Sequence, residues 1–478
     1  MIKKTFHGGY YFNCEDKPRE KVIESVLPPM VVIPLKQGFG REVKPLVTVG
    51  DKVKAGQIIG RDDHGVSSPV HASINGNVER ITKLKYSTGP INAVIITADS
   101  NPDWQPLAGN NRNWQLLSLE KIETLLYSSG ATSLDSKGIP TRFKTSSNVG
   151  RDVSDLIIQG IEDRPYNLSL PALLAGERCT HFIEGIKILQ KIMPRANIHL
   201  AINRNRREIK RELIQKTEDL KWLTFYSLPP RYPQGNDRVL AATILGKRDR
   251  KTVDAEGIAV LSVGTVLNVH DAVVEGKPVI ETIIALCGPG WKENINIRVR
   301  VGTPIETITG IYLDQTNSNW MIIPNNPLTS GALADFSLPV DRTITSLTAV
   351  SKNIKVQRPW SLLSAISPLK GRGCSPNIYD EVKPCIFCGY CEEICPAGII
   401  PHLIDKYARR NIISNELIRY GIFECVECNL CSYICPSKIP VARHIKLGQQ
   451  RLIEYGFTEP EAGLKEDTVE KYCLGQEG

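Results

Sequence analysis

The sequence predicts a multidomain chain that mixes α+β and α/β units and ends in a small, cysteine-rich, α-helical module. Three observations carry that expectation. At 478 residues the chain is longer than one hydrophobic core organises, so two to four domains are expected. The apolar pattern changes along it, from strand alternation to helical spacing, back to strands and then to helices. Eight of its 13 cysteines fall near the C-terminus in two runs of one spacing.

Cys385, Cys388, Cys391 and Cys395 read C-x2-C-x2-C-x3-C, followed by Pro396. Cys425, Cys428, Cys431 and Cys435 repeat the spacing, followed by Pro436. Three thiolates at three-residue intervals wrap one face of a cubane, and the proline turns the chain away. In two-cluster modules of this spacing, the fourth Cys of each run serves the other [4Fe–4S] cluster. Cluster one is therefore expected on Cys385, Cys388, Cys391 and Cys435, and cluster two on Cys425, Cys428, Cys431 and Cys395. The alternative is structural zinc, which pairs two C-x2-C knuckles around a tetrahedral ion. A third Cys three residues on, and a repeated x3-Cys-Pro, do not suit it. Disulfides are not expected, because clustered cysteines without a secretory signal point to a reducing compartment. Cys14, Cys179, Cys287, Cys374 and Cys473 are scattered and read as small buried apolar groups or bystanders. Two such clusters move single electrons, so a redox protein is expected.

Composition is ordinary for a globular protein, with 41% hydrophobic and 23% charged residues. A net charge of +8 favours acidic partners, such as ferredoxin, or an anionic membrane surface. The most basic stretch, RNRREIKRELIQK from Arg204 to Lys216, reads as a solvated helix face. No nucleic-acid-binding motif accompanies it, so nucleic acid is not an expected partner. No run of 18 apolar residues appears, so no bilayer-spanning helix is expected, and MIKKTFHGGYYF lacks the apolar stretch of a signal peptide. Hydrolase and NTPase motifs are absent. His7, His64, His71 and His270 lie in unrelated segments and form no ligand set with the cysteines. Tyr390 and Tyr433, beside cluster cysteines, read as covers that exclude water.

The segments read in order as follows. Residues 1–29 are an N-terminal segment. Residues 30–105 hold short strand patterns (VVIP, PLVTV, QIIG, GNVERI, NAVIITA) separated by Gly and Asp. Within them KPLVTVGDKVKAGQIIG and SPVHASINGNVERI resemble the barrel-sandwich hybrid of biotinyl and lipoyl domains. The hairpin that carries a modifiable Lys in those carriers reads HASING here, His71 to Gly76, so the fold is expected without the swinging arm. Residues 106–254 alternate helix and strand. LEKIETLLYSSG is a helix by Ile122, Leu125 and Leu126, stopping at Gly130. DLIIQG and ANIHLAIN are strands, and LPALLAGERCTHFIEGIKILQKI is one or two helices, which argues for an α/β domain with a mixed or parallel sheet. Residues 255–350 read as strands (GIAVLSVGTVLNVHDAV, KPVIETIIALCG, INIRVRVGTPIETI), with Ile297, Val299 and Val301 on one face of a β-grasp-like unit. Residues 351–378 are a linker, 379–450 the cluster module and 451–478 a polar tail.

Taken in order, HGGYYF, KPLVTVGDKVKAGQIIG, SPVHASINGNV, YPQGNDR (Tyr232 to Arg238), SVGTVLNVHDAVVEGKPVIE (Ser262 to Glu281), RVRVGTPIETI and both cysteine runs resemble the C subunit of Rnf complexes. Those are membrane-bound, ion-translocating ferredoxin:NAD oxidoreductases. The resemblance implies a barrel-sandwich hybrid, a Rossmann-like domain, a β-grasp (SLBB) domain and a ferredoxin-like domain. It also implies a peripheral electron-transfer subunit at the cytoplasmic face of the inner membrane. Its partners would be integral membrane subunits and ferredoxin or another soluble carrier.

The family's flavin loop, close to GLGGAGFPT, is SLDSKGIPT here, Ser133 to Thr141. Gly138, Pro140 and Thr141 remain, while Asp135, Ser136 and Lys137 replace Gly, Gly and Ala. The family's NGAECEPY is QGIEDRPY, Gln159 to Tyr166, with Asp163 and Arg164 in place of Cys and Glu. Its GGPMMG is NNPLTSG, Asn325 to Gly331, where Asn325 and Asn326 replace two glycines. The resemblance leaves Gly138, Lys144 and Glu162 as the remnant of a flavin site. Glycines there let backbone N–H groups approach a phosphate, so their replacement predicts that FMN and NAD(H) binding is lost or strongly changed. One alternative is a complete flavoenzyme whose FMN splits a hydride into single electrons. Another is a microcompartment-associated cobalamin reductase with a similar domain set.

Overall fold

The computed structural model describes residues 2–12, 17–62, 66–86, 89–99, 103–110, 112–133, 138–145, 153–246, 257–316, 319–351 and 382–457. The chain opens with two short strands, β1 (Ile2–Lys3) and β2 (Val22–Glu24), each completing a sheet built by residues far downstream. Strands this short carry no apolar period, so the sequence does not announce them.

The first unit comprises β3 (Met30–Pro34), β4 (Lys44–Pro45), β5 (Lys52–Val53), β6 (Ile58–Arg61), β7 (Val70–His71), β8 (Gly76–Tyr86) and β9 (Gly89–Ala98). They form antiparallel sheets of order β3-β9-β8-β5 and β4-β6-β7. Val31 and Ile33 on β3, and Val94 and Ile96 on β9, point into the core between the sheets with Ile59 and Ile74. The HASING hairpin differs from its counterpart in carrier domains, because His71 to Asn75 are buried. His71 Nε2 bonds the Ser128 carbonyl at 2.8 Å. The fully buried Arg342 guanidinium donates to Ser68 Oγ at 3.1 Å, Pro69 O at 2.9 Å and Gly130 O at 2.8 Å. One cation thus satisfies carbonyls from two neighbouring units.

The α/β unit contains α1 (Leu119–Ser128), α2 (Thr141–Thr145), β10 (Asp155–Gly160), α3 (Leu170–Leu173), α4 (Arg178–Ile192), β11 (Asn197–Asn203), α5 (Arg207–Lys216), β12 (Leu223–Leu228), α6 (Asp237–Leu245), β13 (Ile258–Ser262) and α7 (Val263–His270). Its sheet is all parallel, in order β1-β12-β11-β10-β13. Continuous apolar runs on β10 and β11 fit burial on both faces. Phe182, Ile186 and Val266 cover one face with Ile122 and Leu126, and Leu240 and Ile244 of α6 cover the other.

In the segment after residue 255 the structure departs from the expectation of strands at Val263 and not before it. GIAVLS is β13 of the parallel sheet, and VGTVLNVH is helix α7, packed on α4. Its β-branched residues read as strand, but Ser262 Oγ accepts from Thr265 N at 3.2 Å and caps a helix start. The boundary placed at 255 therefore cuts through the parallel sheet. The basic helix α5 buries only Leu213, as a solvated face does.

The next unit is a mixed sheet of order β16-β17-β14-β15-β2, made by β14 (Glu281–Cys287), β15 (Ile295–Arg300), β16 (Trp320–Pro324), β17 (Ser346–Ser351) and the N-terminal β2. Ile297, Val299 and Val301 are all buried. The stretch PIETI, expected to continue a strand pattern, opens α8 (Ile305–Tyr312) instead, whose Ile305 and Ile308 pack into the same core.

The last unit is helical: α9 (Tyr390–Glu393), α10 (Pro401–Arg409), α11 (Asn415–Arg419), α12 (Leu430–Ile434) and α13 (Val441–Glu454). Ile404, Leu417, Ile422, Ile445 and Leu452 form its core. Residues 451–454, assigned to the polar tail, continue α13. The linker lies outside the described residues from 352 on, as does the tail from 458 on.

The N-terminal segment binds these units together. β1 pairs with β12, and β2 pairs with β15. Between them, Gly9 N donates to Ile394 O at 2.8 Å, and Tyr10 and Tyr232 exchange backbone bonds of 2.8 and 2.9 Å. Among the described residues no helix is long and apolar enough to cross a membrane.

Candidate functional site

The two cysteine runs fold alike, residue for residue. Phe387 and Glu427, each two positions after the first Cys of its run, have φ of +53° and +52°. Gly389 and Asn429, two positions further, have φ of +75° and +63°. Gly398 and Lys438, three after the last Cys, have φ of +62° and +57°. These left-handed residues curl each loop around a hollow, and Phe387 N points to Cys385 Sγ at 3.5 Å. α9 and α12 then carry the third Cys of each run, and α10 and α13 pack against each other behind them.

The structure brings Cys385, Cys388, Cys391 and Cys435 around one cavity. It brings Cys395, Cys425, Cys428 and Cys431 around a second. Each set of four takes its last member from the other run. Burial, then the proximity of Cys388, Cys435 and Cys385, pushes the Cys391 thiol up to about 12. Burial, then Cys425, Cys428 and Cys395, raises Cys431 well above the usual thiol range. Thiolates crowded this way repel one another, and bound cationic iron is what would hold all four deprotonated. The donor set fits iron–sulfur clusters.

The two cavities differ in exposure. Cys388 is exposed, and Ile386 and Phe387 beside it are exposed as well. His402, which sequence reasoning did not single out, lines this first cavity, its ring edge-on to Phe387. Around the second cavity Cys395 and Cys431 are buried. The two tyrosines read as covers contribute to an apolar junction of Tyr10, Phe12, Tyr232, Tyr390, Tyr433, Leu328 and Ile434. The Tyr433 ring lies 5.5 Å from Tyr10 and 5.3 Å from Phe12. This junction joins the cysteine module to the α/β unit.

Beside the junction is a cavity of about 320 Å³ at the carboxyl ends of β10, β11 and β12, where ligands of parallel α/β sheets bind. Glu162, Asp163, Asn203 and Arg206 form its floor, and Tyr11, Phe12, Lys17 and Pro18 of the N-terminal segment roof it. Burial pushes the Asp163 carboxyl up to about 6, against the pull of Gly235 N–H, which donates to it at 2.7 Å. The sequence offers Arg206 only within a basic stretch, and Tyr11 and Phe12 only within HGGYYF, with no sign of a cavity between them. The roof is assembled by strands too short to signal themselves.

The three residues expected as a flavin remnant are engaged elsewhere. Gly138 interlocks with Gly38, so that a Cβ on Gly138 would lie 2.8 Å from the Gly38 Cα. Lys144 Nζ donates to Val260 O at 3.0 Å and lies 3.7 Å from Asp237. Glu162 is held by Arg206. Of the three, only Glu162 lines the cavity. Asp135, Ser136 and Lys137 lie outside the described residues. These described residues do not fit a flavin phosphate cradle.

A second polar cluster, His181, His270 and Asp271, sits where α7 passes into a π-helical turn (Asp271–Glu275). Arg178 already occupies both Asp271 oxygens at 2.9 Å, and the two rings stack in parallel at 4.2 Å. Parallel rings do not aim their lone pairs at one ion, so this cluster is a packing contact.

Comparison with known proteins gives matches over the same units. The family model for the RnfC barrel sandwich hybrid domain matches residues 4–101. That for the Nuo51 FMN-binding domain matches 128–271, and that for a 4Fe-4S dicluster domain matches 384–439. The second match ends inside the π-helical turn, in agreement with the parallel sheet. The C subunit of the ion-translocating oxidoreductase complex of Pseudomonas aeruginosa is 28% identical over 463 residues, 94% of this chain and 56% of its own length. The C subunit of the proton-translocating ferredoxin:NAD(+) oxidoreductase complex of Clostridium ljungdahlii is 26% identical over 449 residues, 93% of each chain. The Na(+)-translocating counterpart from Acetobacterium woodii is 24% identical over 415 residues, 85% of this chain and 88% of its own length. The chain thus spans about half the length of the Pseudomonas relative and nearly all of the clostridial one. Barrel-sandwich unit, α/β unit and dicluster module, in that order and in relatives that cover most of the sequence, make the chain similar to the C subunits of Rnf complexes.

Proposed function

We propose that this chain is the peripheral electron-transfer subunit of an Rnf-like ion-translocating oxidoreductase, passing single electrons through two [4Fe–4S] clusters without a resident FMN or NAD(H) site. One observation carries the reading: two four-cysteine cavities, each completed by the last Cys of the other run. Cys385, Cys388, Cys391 and Cys435 would hold cluster one, and Cys395, Cys425, Cys428 and Cys431 cluster two. When bound, each cluster takes up and gives back one electron. The protein's part is to fix the thiolates, exclude water and set which cluster meets an outside partner. The exposed Cys388, Ile386 and Phe387 support cluster one as the point of exchange with a soluble carrier such as ferredoxin. The buried surroundings of Cys395 and Cys431 support cluster two as the inner station. Integral membrane subunits are the other partners, with this chain docked at the cytoplasmic face. The mixed-sheet unit corresponds in this reading to the family's SLBB-type β-grasp domain.

A second reading is favoured by the match of residues 128–271 to an FMN-binding domain: a complete flavin-containing, NADH-handling subunit. Anaerobic purification from native membranes, with iron, sulfide, acid-released flavin and co-purifying subunits assayed together, separates the two. Iron and sulfide with flavin well below one per chain is expected. Stoichiometric flavin would overturn the flavin-free reading.

A further inference from the structure

The loops that hold Cys395 and Cys428 receive donors from outside the cysteine module. Gly9 N donates to Ile394 O at 2.8 Å, and Asn236 Nδ2 approaches Val426 O at 3.5 Å. The strongest candidate for a specific role is Tyr232, a buried side chain in YPQGNDR whose hydroxyl donates to the Cys428 carbonyl at 2.9 Å. That hydroxyl in turn accepts from Asn326 Nδ2 at 2.9 Å. Asn326 is itself fixed, its Oδ1 accepting from Leu328 N at 3.1 Å. The chain of bonds runs from the mixed-sheet unit, through the α/β unit, to a cysteine loop.

Asn326 stands where the family's GGPMMG element has glycine. A glycine has no amide to hold the hydroxyl, so this orientation of Tyr232 belongs to this chain's own sequence. The hydroxyl lies in an apolar junction with Phe12 at a ring distance of 5.8 Å. In such surroundings an oriented O–H dipole is poorly screened, and an accepted hydrogen bond from Asn326 polarises it further.

We propose that Tyr232, oriented by Asn326, is a positioning residue for cluster two: it fixes the Cys428 loop and raises the reduction potential of that cluster relative to cluster one. The positive end of the O–H dipole points at the carbonyl of Cys428, a residue lining the second cavity, where reduction would add negative charge. Hydrogen bonds and local dipoles around the ligands set cluster potentials, so the reduced state gains most from this donor. An electron entering at the exposed cluster is thereby drawn inward. No bond forms or breaks; one electron is added to one cluster.

The proposal rests on the two-cluster reading, and the test keeps the two apart. Full-length protein carrying Tyr232→Phe or Asn326→Ala is purified anaerobically, and each cluster's midpoint is read by EPR during a dithionite titration with mediators. Tyr232→Phe keeps the ring and removes only the hydroxyl. Both clusters should be retained, with the cluster-two midpoint more negative. At fixed solution potential its reduced-to-oxidised ratio should fall about three- to tenfold, the span of one lost hydrogen bond. Asn326→Ala should move the same midpoint in the same direction, by less, and cluster one should stay put in both. Unmoved midpoints, equal movement of both clusters, or loss of iron from cluster two in Tyr232→Phe would overturn the proposal, the last making Tyr232 a structural prop. Wild-type protein without two distinguishable cluster signals would instead overturn the cluster reading itself.

Discussion

Arg206 grips the Glu162 carboxylate through two bonds of 2.7 Å, from Nε and Nη2, across the floor of the cavity at the strand ends. Glu162 matches the first Glu of NGAECEPY, the element that the resemblance sets beside this segment, and here its charge faces an internal cation. Its Oε1 also accepts from Leu170 N at 3.1 Å, and Arg206 reaches Glu20 in the roof. The pair is partly buried, with side chains 28% and 13% exposed, so losing one partner strands the other. Arg206→Ala should destabilise the α/β unit by about 2 kcal/mol, in the range for hydrogen bonds to charged groups. A double-mutant cycle with Glu162→Gln, followed by urea unfolding, should show clear coupling. Additive effects would mean that the pair is not a unit.

Gly8 tests the roof. Its φ is +68°, and a Cβ there would lie 2.5 Å from Ile394 O and 2.8 Å from Cys395 O. Neither backbone atom can swing aside as a flexible side chain would. Gly8→Ala should cost about 1–3 kcal/mol and lift the segment off the Cys395 loop. The visible absorbance of cluster two should then bleach faster in air than in wild type, while cluster one keeps its rate. Identical decay of both clusters in the two proteins would remove the roof from the account.

His71 gives a pH dependence with a definite sign. Burial, and then the Arg342 guanidinium, lowers its pKa from 6.5 to about 3, although the bond to Ser128 O pulls the other way. The ring is neutral, with Nε2–H donating to Ser128 O and Nδ1 facing Arg342 at 3.4 Å. In the unfolded chain the same imidazole takes a proton near pH 6.5. Its contribution to stability is therefore complete above pH 6.5 and falls as the pH drops towards 3, with a limiting slope of about 1.4 kcal/mol per pH unit. His71→Leu removes that term. The wild-type advantage in thermal midpoint should narrow between pH 7.5 and 5, and parallel curves would contradict the assignment.

How much of this was readable from the residues depends on whether a signal is local. The cysteine spacing is local, and both four-cysteine sets assemble as that spacing suggests. Helices with clear apolar spacing, such as Leu119–Ser128, and strands such as Asp155–Gly160 were equally plain. Val263 to His270 misled because β-branched residues fill a helix whose start is fixed by one serine cap. The burial of HASING could not be read, since it depends on Arg342 arriving from 271 residues away. The cavity's roof and the Tyr232–Cys428 bond are likewise products of units meeting, with no pattern in any one segment.

The crossed pair of clusters is the claim on which the rest depends. Iron, acid-labile sulfide and EPR should be measured together on anaerobically prepared wild-type, Cys388→Ala and Cys395→Ala proteins. Wild type should carry about eight irons and about eight sulfides per chain, from four in each cubane. Each variant should lose about half its iron, and Cys395→Ala should erase the signal that Cys388→Ala leaves intact. A colourless wild type containing zinc, or both variants erasing the same signal, would contradict the account.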